Sequence, residues 1–142
     1  MKQLLAGIVL CTAALGIVVA GDNETQRTLR KANVERIEKN LIKAFRSNSP
    51  RLQASAAITL MQIRREMPEY NWSNSIIPLM RIVNGEDNDA DARIAAALAL
   101  HDLRTDRGDF LIVRNARFTS NDRVKRHCLL LAASRQLENA TP

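Results

Sequence analysis

From about residue 30 to residue 137 the apolar residues return every three or four positions, broken only by short polar stretches. That spacing matches one face of an α-helix at 3.6 residues per turn and does not match the two-residue alternation of a strand. Val34, Ile37, Leu41, Ile42 and Phe45 fall on one side of a first helix expected over residues 25–47. Ser49-Pro50 opens a second, because a serine hydroxyl can cap free amides and proline suits the first helical position. Leu52, Ala56, Ala57, Leu60, Ile63 and Met67 form its apolar face until Pro68 stops it, and residues 69–75 are a loop. A third helix is expected over 76–83, with Pro78 near its start and Gly85 as its stop. The fourth, about 90–103, is rich in alanine (Ala92, Ala95, Ala96, Ala97, Ala99), so neighbouring helices can approach it closely. Residues 106–116, with Phe110, Leu111, Ile112 and Val113, and residues 122–137, with Val124, Cys128, Leu129, Leu130 and Leu131, complete six helices. Five glycines, four prolines and 4% aromatic residues are too few for the turns and cores of a β-sandwich or barrel, so the expected fold class is all-α.

The helices come in pairs, and superposing the second member of each pair reveals a repeat. Leu52, Ala92 and Val124 fall in register, as do Ala56, Ala96 and Cys128, then Ala57, Ala97 and Leu129, then Leu60, Leu100 and Ala132, at intervals of 40 and 32 residues. One helical pair cannot bury its apolar face alone, whereas three stacked in order share a continuous core. The segment Ile77-Pro78-Leu79 through Asp87, Arg93, Ala96, Ala97 and Leu100 resembles the HEAT-repeat pattern, including the bacterial HEAT-like short form of phycobilisome-lyase type. The shared features are a proline in the first helix, an aspartate in the turn, an arginine after the small apolar residue, then alanine and leucine. In the first repeat Gln53 stands at the arginine position; in the third Lys125 does, and Thr119 takes that of the aspartate. The resemblance implies a short α-solenoid of about three hairpins over residues 27–138, followed by a tail at 139–142. It also implies that Arg93 pairs with Asp87 as a fold-stabilising bridge, and that the domain binds another macromolecule.

Ahead of this domain, Met1-Lys2-Gln3 precedes an uncharged run from Leu4 to Ala20, followed by Gly21-Asp22-Asn23-Glu24. A short basic start, an apolar core and small residues at Val18-x-Ala20 are the marks of a secretory signal peptide over residues 1–20, leaving 21–26 as a polar linker. Export to a periplasm or beyond is therefore expected. The alternative is an uncleaved membrane anchor, although the run is at the short end of a bilayer span. Arg27, Arg30, Lys31 and Arg36 beyond it would favour keeping the globular part inside. Cys11 leaves with a cleaved signal, so Cys128 is then the only thiol and no internal disulfide forms.

No catalytic constellation is visible. His101 and His127 sit on different helices without ligands at metal-like spacing, and Cys128 occupies the slot of Ala56 and Ala96, which predicts a buried, inert thiol. Asp87-Asn88-Asp89-Ala90-Asp91 resembles the start of a calcium loop, but Ala92 and Leu98 stand where glycine and glutamate are needed. Capping chemistry explains these acids better. Neither an enzyme, a metal nor a cofactor is expected. Tyr70 and Trp72 are expected to anchor their loop onto the helices. The net charge of +6 is uneven, with one basic cluster in residues 27–51 and another in 104–126. Two functions survive. The first is a protein-binding scaffold whose partner meets the exposed side of the second helices at His101, Arg104 and Arg126. The second is a binder of polyanions or anionic membrane surfaces through Arg114, Arg117, Arg123 and Lys125. Export and the scarcity of aromatic residues for stacking argue against nucleic acid.

Overall fold

The computed structural model describes residues 28 and 30–140. The expected signal segment, linker and final two residues lie outside the described residues. The chain divides after Ile37 into two units. The first is described only in the opening turns of α1 (residues 30–45), where Arg36 donates to the Asn33 side chain at 3.0 Å. All that follows concerns the second unit, Glu38–Pro142.

Among the described residues every regular element is a helix: α1, α2 (Pro50–Glu66), α3 (Ser73–Asn84), α4 (Ala90–Leu103), α5 (Asp106–Phe118) and α6 (Asp122–Ala140). None of them is long and apolar enough to cross a membrane. The starts are fixed by side chains that satisfy the free amides of the first turn. Ser49 accepts from Leu52 N, Asp89 from Asp91 N and Ala92 N, Thr105 from Gly108 N, and Asn121 from Arg123 N and Val124 N. The acidic run 87–91 is thus tied to the cap of α4. Helix α3 begins three residues earlier than expected, after Trp72, where Asn71 accepts from Ser73 N.

Gly85 ends α3 as expected, but in an extended rather than left-handed conformation. Its role is steric: a Cβ there would lie 2.3 Å from the Asn88 amide, which caps the helix by donating to the Ile82 carbonyl at 2.9 Å. Among the described residues the one in the left-handed region is Arg104, φ 53°, at the end of α4.

Helix α4 is the hub, packing against α2 and α3 most extensively and also against α5 and α6. A helix covered from so many sides must be apolar nearly all round. Eight of its fourteen residues are buried, among them Ala92, Ala95, Ala96, Ala97 and Ala99. Helix α5 packs mainly on α6. Of the residues in repeat register, Ala56, Ala96 and Cys128 are all buried, as are Ala57 with Ala97 and Leu60 with Leu100. Leu52 and Leu129 depart from it, at 48% and 51% exposure. Both lie on α2 or α6, which among helices α2–α6 meet fewer neighbours than α4 does.

Candidate interaction surface

Beneath α5 lies a buried polar network centred on Arg93, whose side chain is fully enclosed. Its Nε donates to the Val83 carbonyl at 3.0 Å, and its Nη2 donates to Glu86 at 2.8 Å, Asn115 Oδ1 at 3.1 Å and Thr119 Oγ1 at 3.0 Å. Only Nη1 is buried without an acceptor. The expected pairing of Arg93 with Asp87 is therefore corrected to Glu86, one residue earlier. Asp87 is exposed, while Glu86 also accepts from the hydroxyls of Thr119 and Ser120 and from Ser120 N. A single carboxylate thus ties the α3–α4 turn to the α5–α6 turn.

Arg93 first, and the Ser120 and Thr119 hydroxyls after it, hold the Glu86 carboxyl down from 4.5 to about 2. Because the folded value is lowered, the resulting stability is complete above pH 4.5 and is lost as pH falls from there toward 2. The Glu86 side chain is 47% exposed, so solvent screening reduces the expected loss to about 1–2 kcal/mol. Thermal melts across this window should show the parent falling faster than Glu86→Gln, with the two converging at the acid end. Parallel curves would show that Glu86 does not carry the effect.

Another carboxylate, Glu38, is buried and accepts from Tyr70 Oη at 3.0 Å, Asn74 Nδ2 at 3.3 Å and Ser75 Oγ at 3.3 Å. Tyr70 also meets Trp72 edge-on at 4.7 Å, and Trp72 is buried. The pair anchors the α2–α3 loop, as the sequence suggested. Cys128 is enclosed, and burial pushes its thiol up to about 11, so the thiolate needed for nucleophilic chemistry is suppressed at neutral pH.

The residues expected to meet a partner are only partly brought together. His101 is half-buried: its Nε2 faces Ser134 Oγ at 3.3 Å, and its carbonyl accepts from Arg135. Burial, then the nearby Arg135 charge, lowers its pKa and favours the neutral ring. Arg104 is exposed and pairs with Glu138 at 3.4 Å. Both therefore face the C-terminal half of α6, where Arg135 also bridges Asp109 and Glu138. Arg126, exposed, lies eight residues before Ser134 on that helix, about 12 Å along its axis. The expected basic patch is likewise divided. Arg114 and Arg117 are exposed on α5, Arg123 is engaged with Asp91 at the start of α4, and Lys125 is half-buried.

Helix α5 carries a feature that the apolar spacing alone did not single out. Leu111, Ile112, Asn115 and Ala116 face inward, while Phe110 and Phe118 stand 70% and 78% exposed with Val113 between them. Arg107, Arg114 and Arg117 share this outer side. The signal was present: four consecutive apolar residues, Phe110 to Val113, advance about 300° around a helix and cannot all face one core. Two of the chain's three phenylalanines thus lie on solvent beside arginines that form no ion pair among the described residues, in a composition typical of protein-contact centres rather than of solvated surface. Compared with protein-family models, with curated proteins and with solved structures, the chain matches none.

Proposed function

We propose that the chain is an exported, non-catalytic interaction module, built as a short HEAT-like stack, that holds a protein partner on the outer face of α5. The stack is supported by the pairing of α3 with α4 and α5 with α6, and by the succession of α2, α4 and α6 as neighbours. Export rests on the residue pattern ahead of Gly21. The observation that carries the function is the exposure of Phe110 and Phe118 on a helix whose opposite face is fully committed to the core. Aromatic and arginine side chains dominate binding hot spots, because they bury much surface and pair with acidic groups at once. This moves the partner site from the second helices, at His101, Arg104 and Arg126, to the first helix of the last pair.

The test is affinity capture from an envelope extract with the full chain and with Phe110→Ala/Phe118→Ala. Both positions are exposed, so the variant should melt within a few degrees of the parent. Loss of about 2 kcal/mol or more of contact predicts at least about thirtyfold less recovered partner. Equal recovery would defeat the proposal. The three arginines on this face support a second reading, an anionic membrane surface, with about 1 kcal/mol per arginine near the lipid. Binding to phosphatidylglycerol vesicles that disappears with added salt, with no salt-resistant protein partner, would favour it.

A further inference from the structure

Between the α1–α2 turn and the second half of α3, a cleft of about 260 Å3 has an apolar floor of Phe45, Pro78 and Ile82, all buried. Arg46 and Arg81 form part of its lining, and both are exposed. Among the described residues neither guanidinium has an ion-pair partner, and no carboxylate lines the cleft. Its other lining residues are two amides whose orientation is forced. Gln53 Nε2 donates to the Ser47 carbonyl at 2.7 Å and to that of Phe45 at 3.3 Å, so the atom left for another partner is the acceptor Oε1. Asn88 Nδ2 donates to the Ile82 carbonyl at 2.9 Å, which leaves its Oδ1 in the same position.

From this juxtaposition we infer that the cleft binds the free C-terminal carboxylate of a peptide ending in an apolar residue. The chemistry matches group by group. A carboxylate takes the two guanidiniums in charge-assisted, fork-like hydrogen bonds. The N–H groups of the last peptide units donate to the Gln53 and Asn88 oxygens, and the terminal side chain lies on Phe45, Pro78 and Ile82. The volume is below the 300–1,000 Å3 usual for small-molecule sites and suits one terminal residue. The inference rests on the interaction-module reading only in taking the terminus to be another protein's, and it uses a surface separate from the α5 face.

The full chain, labelled with nitrogen-15, would be titrated with an acetylated tetrapeptide ending in leucine, with its C-terminal amide, and with inorganic phosphate. Saturable shifts at Arg46, Gln53, Arg81 and Asn88 are expected for the acid, with the amide at least about tenfold weaker. Arg46→Gln and Arg81→Gln, both exposed and so tolerable to the fold, should each weaken the acid by about fivefold or more. Three outcomes would overturn the inference: no saturation by the acid at millimolar concentration, equal binding of acid and amide, or phosphate binding as tightly as the peptide. Phe110→Ala/Phe118→Ala should bind the peptide like the parent, so failure of the α5 proposal would leave this result intact, and the reverse.

Discussion

Arg93→Met is expected to remove about 3–5 kcal/mol of stability, a large share of the roughly 5–15 kcal/mol that holds a domain of this size together. Methionine restores much of the volume but none of the donors. Glu86, half-exposed, can turn to water, whereas the Val83 carbonyl and Asn115 Oδ1 are enclosed and lose their contacts with the guanidinium. Each such group costs about 1–3 kcal/mol when stranded. Arg93 also reaches from α4 to Asn115 and Thr119 at the end of α5, and through Glu86 to Ser120. The loss should therefore be felt first in how α5 is held, and with it the face that carries Phe110 and Phe118. Urea denaturation of the full chain measures the effect. Arg93→Lys keeps the charge but not the planar fork, and should fall between the two. A loss below about 1 kcal/mol for Arg93→Met would show the network to be dispensable.

Helix number, type and most boundaries were legible because spacing and capping are local. Ser49-Pro50 and Asp89 each sit just ahead of a helical run and act within their own first turn. The small residues of α4 likewise declared a close-packed helix. Which residue Arg93 meets was not legible. Glu86 and Asp87 are adjacent carboxylates in one turn, and the choice between them depends on Thr119 and Ser120 arriving from the next pair. Burial departed from the register at two positions for a related reason. Leu52 and Leu129 match buried counterparts in sequence, but burial needs a neighbour on that side, and among helices α2–α6 it is α4 that meets the most. The α5 face was missed because Phe110 was read only as part of an apolar run and Phe118 lay beyond the helix expected over 106–116. Arg114 and Arg117 were seen as charge alone, without the phenylalanines beside them.

The central place of α4 makes the sharpest demand on Ala96, which is fully buried with Ala97 and Leu100 close by on the same helix. Ala96→Asp puts a carboxylate and its extra volume where nothing polar waits for it. Desolvation of the unpaired group costs several kcal/mol, and overpacking adds about 1–3. Together these match the whole stability of an ordinary domain, so the helical signal in circular dichroism should be largely lost at room temperature, with no cooperative melt. Leu98→Asp is the control, since Leu98 lies two residues along the same helix and is exposed. It introduces the same aspartate into the same helix at an exposed position, and should shift the melt by only a few degrees. The pair separates a cost of burial from a cost of aspartate in a helix. If both variants melted like the parent, α4 would not be the hub of the fold, and the proposed stack would fail with it.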